Sequence, residues 1–145
     1  MQFWPTLKTK FQNIRDHFRP SLYRKIGGRK KISKIVQRFY QIMQTDPMAR
    51  ECLATHPTPD DLKIPAEKLI DFLCGWLGGP QTFVQKHGHP RMRMRHMKFA
   101  VTTNAREEWL YCMNKSLEEN KVDDEMRRSI MEALDGLSGV IQNRP

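Results

Sequence analysis

Two glycine pairs, Gly27-Gly28 and Gly78-Gly79, interrupt a chain whose apolar residues otherwise recur at threes and fours. Glycine ends helices readily because it enters the left-handed region without steric cost, and Pro80 seals the second stop. No stretch shows sustained two-residue alternation with β-branched enrichment. The fold class is therefore all-α, built from separate helices whose ends are written in the sequence.

The periodicity marks these helices out. Phe3, Trp4, Leu7, Phe11, Ile14 and Phe18 form an apolar stripe up to Pro20, with a basic opposite face. Leu22 to Ile26 makes a short helix stopped by the first glycine pair. Ile32, Ile35, Val36, Phe39, Tyr40 and Met43 give the cleanest stripe in the chain, running to about Thr45 before Asp46-Pro47. Met48 to Leu53 suits a short helix, and the proline-rich 54–59 cannot continue it. From Asp61 or Pro65, Leu69, Phe72, Leu73, Trp76 and Leu77 share one face up to the second glycine pair. A short helix over about 82–86 breaks at Gly88 and Pro90, and a second short piece carries His96. Asn104, with Glu107 in the capping-box position, predicts a helix to about Glu118. The last helix starts near Asp123 and carries Met126, Ile130, Leu134, Leu137 and Ile141, with Gly136 and Gly139 expected to admit another backbone. Residues 1–20 thus read as an amphipathic extension and 21–145 as one domain.

Charge is unevenly placed along the chain. The net charge is +9, and residues 1–34 hold ten Lys and Arg against the single acid Asp16, which is the whole excess. Residues 35–145 are neutral overall, so a nucleic-acid-binding role for the domain is not supported. No apolar run approaches membrane-spanning length, and Lys8, Lys10, Gln12, Asn13, Arg15 and Asp16 interrupt any signal-peptide core. Cys52, Cys74 and Cys112 are an odd count without a CxxC, and Cys74 and Cys112 fall in apolar helical patterns; a reducing cytoplasm is the expected home.

The chemistry concentrates between Gly75 and Phe99, where arginines and methionines alternate before His96. A neutral imidazole among apolar and cationic side chains suits the iron of haem b, with no CxxCH for covalent attachment. Lys68, Arg93 and Arg95 would then supply cations for the propionates. The alternative is a surface histidine in a basic loop. Tyr40 sits on an apolar stripe and must bury its ring, its hydroxyl meeting either a backbone group or a bound diatomic. Trp109, with one indole N–H, poses the same choice. His56 lies in a loop before Pro57. His87, His89 and His96 also admit a three-histidine zinc or copper site, though Gly88 and Pro90 leave its geometry undefined. No P-loop, GxSxG, HExxH or paired-carboxylate motif occurs.

Six runs in order, LYRKIGG (22–28), RFY (38–40), HP (56–57), EKLIDFLCGWLGGP (67–80), HGHPRMRMRHMKF (87–99) and REEWLYCM (106–113), resemble group II truncated haemoglobins, the haemoglobin O type. The resemblance covers about residues 21–142. It implies a shortened globin fold, a two-over-two helical sandwich around haem b. His96 matches the proximal iron ligand, Tyr40 the distal tyrosine, and Trp109 the tryptophan whose N–H points at the bound ligand. Leu69, Phe72 and Leu73 match the pocket lining, and the glycine pairs match the shortened connections. His56 falls where many relatives carry Tyr or Phe. The basic N-terminal extension is a departure from the pattern.

The expected ligands are O2, NO, CO or peroxide. A pocket whose donors Tyr40, Trp109 and His56 stabilise a charged ligand should release O2 slowly, which favours NO oxidation or reaction with peroxide, supported by a reductase, over transport. The rival expectation is O2 binding, storage or sensing without turnover. The protein is expected to be a monomer or homodimer. Residues 1–20 are expected to pack on the domain or a second subunit, burying their aromatics, rather than to lie on an anionic membrane surface.

Overall fold

The computed structural model describes residues 21–145; the helix expected before Pro20 lies outside them. The described chain runs α1 (Leu22–Ile26), α2 (Gly28–Thr45), a 3-10 turn (Pro47–Ala49), α3 (Arg50–Ala54), α4 (Lys63–Trp76), α5 (Thr82–His87), α6 (Met92–His96), α7 (Thr103–Glu119) and α8 (Asp124–Ile141). Among the described residues there is no strand, and no helix is long and apolar enough to cross a membrane.

The two glycine pairs meet in space. Gly27 takes φ 114° as the left-handed cap of α1, and Gly78 takes φ 95° past α4. Between them lies Tyr23, whose backbone N–H donates to the Leu77 carbonyl at 2.9 Å and whose hydroxyl accepts from the Arg29 N–H at 3.2 Å. A Cβ on Gly79 would sit 2.6 Å from the Tyr23 ring and 2.8 Å from the Cys74 carbonyl. That contact requires glycine and fixes how tightly the start of the domain closes on the end of α4.

The stripe of α2 forms the centre of the core. Ile32, Ile35, Val36, Phe39, Tyr40 and Met43 are buried as the spacing predicts, joined by Ile42. The helix packs on α4 along one flank and α7 along the other, and α7 packs on α8. These are the two helix pairs of a two-over-two sandwich. Ser116, wholly buried on α7, donates to the Ile35 carbonyl at 2.6 Å and pins α7 to α2. Cys52, Cys74 and Cys112 are free and buried. Burial pushes the thiol of Cys112 up to about 12, so it behaves as a small protonated apolar group.

Two local expectations are corrected. Helix α7 is capped by Thr102, whose extended backbone lets its Oγ1 accept from the Ala105 N–H at 3.1 Å. Asn104 lies inside the helix and donates to Glu51 instead. Gly136 and Gly139 admit no second backbone: a Cβ on Gly136 would meet nothing within 4 Å, and one on Gly139 would meet the Arg106 guanidinium at 3.5 Å.

One acid stands inside the core. Asp71 on α4 is 1% exposed and pairs with Arg29 of α2 at 2.8 Å and Lys86 of α5 at 2.9 Å. Burial alone would raise its carboxyl, but the bonds and charges of Lys86 and Arg29 outweigh that and hold it below the usual carboxylate range. Because its folded value is depressed, its contribution is complete above the unfolded value of about 4 and is lost as pH falls through the folded value. Both cations are nearly half exposed, which screens the pair. Asp71→Asn is therefore expected to lose about 1–3 kcal/mol at pH 7 rather than the about 3–5 kcal/mol of a fully buried ion pair. Urea unfolding at pH 7 and pH 3 checks this, since the variant should show the smaller loss of stability on acidification.

Candidate functional site

A cavity of about 790 Å³ opens between the helices, bounded by α2, α4, α7 and α8 and by the segment around α6. It is a volume suited to a cofactor rather than to a few waters. Tyr40, His56, Lys68, Leu69, Phe72, Leu73, Arg95, His96 and Trp109 all line it. Helical spacing on α4 brings Leu69, Phe72 and Leu73 to one wall. The far wall is Leu134, Leu137 and Ile141 of α8, residues the sequence marked only as a helix stripe.

His96 ends α6, a helix of one turn. Its Nδ1 lies 2.6 Å from the Met92 carbonyl. A carbonyl only accepts, so Nδ1 carries the proton and Nε2 keeps its lone pair. An imidazole anchored this way presents a ligand nitrogen of fixed tautomer.

Tyr40 is buried, and its ring stands edge-on to Phe39 at 4.8 Å, while Trp109 meets the other side of Phe39 at 5.0 Å. Phe39 thus spaces two cavity-lining donors. Neither the Tyr40 hydroxyl nor the Trp109 indole N–H has a hydrogen-bond partner among the described residues. Burial raises the Tyr40 phenol, so it stays protonated and able to donate.

His56 differs from its expected part as a donor. Its ring stands edge-on to Tyr40 at 5.9 Å, and its Nδ1 lies 3.1 Å from the Cys52 carbonyl. By the argument applied to His96, Nδ1 donates and Nε2 is a lone pair. Burial lowers its ionisation, opposed by backbone bonds to Cys52 and Leu53 and aided by the nearby His96. Neutral His56 is therefore an acceptor. Helix α3, which precedes it, is positioned from α7, where Glu108 accepts from the N–H of Cys52 at 2.7 Å, a carboxylate at a helix start that residue spacing does not reveal.

The cations are rearranged too. Arg93, expected at the rim, is not among the residues lining the cavity and donates to the carbonyls of Val140 and Gln142 at 3.0 and 3.2 Å. Arg95 lines the cavity but donates to the carbonyls of Pro90, His87 and His89. Lys68 makes no ion pair with a described residue, and Lys98, not expected from the sequence, lies over the Phe99 ring and also lines the cavity. The three-histidine metal site is not formed: among the described residues no group of three or more His, Cys, Asp or Glu is placed to hold a metal ion.

The residues fit haem b. The cavity walls are largely carbon, the imidazoles of His96 and His56 offer lone pairs, and Lys68 and Lys98 stand ready for carboxylates. Ile64, Met94 and Met97 also border the cavity and are 68%, 57% and 54% exposed. Apolar exposure around one opening marks a binding site, and the flat apolar ring of haem b would suit it.

The sequence profile of the bacterial-like globin family matches residues 21–143. The group 2 truncated hemoglobin YjbI of Bacillus subtilis (strain 168) is 31% identical over 108 residues, 74% of this chain and 78% of that one. The chain belongs to the group II truncated haemoglobins. Among solved structures, the group II 2-on-2 hemoglobin of the plant pathogen Agrobacterium tumefaciens superposes with a TM-score of 0.83 at 36% identity, covering 88% of this chain and 98% of that one. The truncated oxygen-avid haemoglobin of Bacillus subtilis superposes at 0.76 and 29% identity, covering 86% and 100%. This truncated haemoglobin is accordingly a haem protein of the globin family with a two-over-two fold.

Proposed function

We propose that this truncated haemoglobin binds O2 tightly through haem b held by His96 and carries out redox chemistry on small ligands, NO oxidation or reaction with peroxide, rather than transport. The observation that carries the reading is the pair of cavity-lining donors, Tyr40 and Trp109, without hydrogen-bond partners among the described residues. Haem b held there would supply an open coordination position for a diatomic and electron density that makes its outer atom a strong hydrogen-bond acceptor. Each donor in a site shielded from water then contributes about 1.5–3 kcal/mol to holding that atom. Since every 1.4 kcal/mol is about tenfold, release is slow, and a slow-releasing protein is a poor carrier. The Bacillus subtilis neighbour described as oxygen-avid is consistent with this.

His56 extends the reading to peroxide. Its Nε2 lone pair accepts the proton of a peroxide O–H, and the Cys52 carbonyl stabilises the imidazolium so formed. Lys68 and Lys98 hold the propionates. Turnover needs a reductase, and three free buried thiols suit a reducing cytoplasm.

The test is to mix the reduced, oxygen-saturated holoprotein with NO in a stopped-flow instrument, assay nitrate, and measure peroxidase activity and O2 release separately. Nitrate or peroxidase yields well above those of free haem, with slow O2 release, are expected. Carrier-like release together with yields no better than free haem would sink the proposal.

A further inference from the structure

The segment bearing His96 has little to hold it in place by itself. Helix α6 is five residues long, and an isolated turn of that length is not stable in water. Arg95 ties it locally to the carbonyls of Pro90, His87 and His89, and the far end of the chain holds its other side. The Asn143 side-chain amide donates to the carbonyls of His96 and Phe99, both at 3.0 Å, while its Oδ1 accepts from the Val101 N–H at 3.1 Å. The Asn143 backbone N–H donates to the Val101 carbonyl at 3.1 Å. From the start of the same turn, Arg93 reaches back to the carbonyls of Val140 and Gln142. Residues 140–143 therefore grip α6 at its beginning and its end.

We propose that Asn143 is a positioning residue for the iron ligand: it sets where the turn bearing His96 stands relative to the cavity. The division of labour is visible in the bonds. The bond from Nδ1 to the Met92 carbonyl orients the ring within its own turn, and Asn143 fastens that turn to the body of the protein. The carbonyl it takes up is that of His96 itself, which also accepts from the Phe99 N–H at 2.9 Å, so Asn143 adds a second, long-range bond at the helix end. Replacing Asn143 removes three side-chain bonds at once. It leaves these groups the local backbone bonds from the Phe99 N–H to the His96 carbonyl and from the Val101 N–H to the Phe99 carbonyl, so the turn can tilt without breaking the ring's own bond.

The proposal rests on the reading of His96 as the haem ligand, and one experiment separates the two. The holoprotein is prepared with haem b, reduced with dithionite, and its iron–histidine stretching band recorded by resonance Raman, with haem loss to a haem-free globin acceptor followed in parallel. Asn143→Ala is compared with Asn143→Asp, which keeps the acceptor for Val101 but cannot donate when ionised. Both variants are expected to bind haem with a shifted, broadened band and to lose it about tenfold faster. An unchanged band and unchanged haem loss in both would overturn the proposal. So would loss of fold in both, judged by far-UV circular dichroism, because Asn143 would then serve the fold alone. Absence of an iron–histidine band in the unaltered protein would instead refute the assignment of His96.

Discussion

Replacing His96 with alanine is expected to abolish stable haem binding, seen as loss of the Soret band after reconstitution and gel filtration. The cavity has other imidazoles on its wall, His56 and His87, so the outcome is not trivial. His56 carries a lone pair of the same tautomer as His96, but its Nδ1 is tied to the Cys52 carbonyl on α3 rather than to the turn of α6. Loss of a residue that merely supports a ligand costs about 10–100-fold in metal affinity, and loss of the ligand itself should exceed that. Stability gives an independent readout. Haem binds the folded state, so it should raise the melting temperature of the unaltered protein by mass action. The variant should melt near the haem-free protein at every haem concentration. A variant that kept a Soret band of normal intensity and the thermal shift would show that another side chain holds the iron.

What could be read in advance was whatever depends on spacing within one helix. The stripe on α2 gave Tyr40 an inward place, and the stripe on α4 did the same for Leu69, Phe72 and Leu73, because periods of three and four map directly onto a helical face. Those stripes by themselves left Tyr40, Trp109 and His96 open between core and site; the six motifs carried the assignment. Polar side chains were less legible wherever their partners lie far along the chain. Arg93 and Arg95 are near neighbours in a basic run, yet one reaches to α8 and neither is left free for a propionate, while Lys98 lines the cavity. Asp71 carried no signal of its own in the sequence, and only the fold brings Arg29 and Lys86 to it. For His56, position was foreseeable but tautomer was not, since the Cys52 carbonyl four residues back decides it. The glycine pairs announced two stops. That both stops close around Tyr23 is a long-range fact.

Removing the two donors is expected to give the largest change in ligand kinetics. Tyr40→Phe deletes one oxygen and leaves the ring, so the edge-on contact with Phe39 at 4.8 Å persists and the fold is disturbed little. The lost hydrogen bond to a charged ligand atom, about 1.5–3 kcal/mol, should speed O2 release by about 10–150-fold. Trp109→Phe removes the indole N–H and part of the ring that packs on Phe39 at 5.0 Å, so a comparable acceleration should come with a modest loss of stability. The two donors flank the same Phe39 and serve the same ligand, so their effects should not simply add. With one gone, the ligand can turn toward the other, and each single variant then understates its donor. The double variant should therefore release O2 faster than the product of the single effects predicts. Stopped-flow O2 release on the four proteins completes the cycle. Rates unchanged in both single variants and in the double would mean that neither group touches the ligand, and the case for tight binding would fall with them.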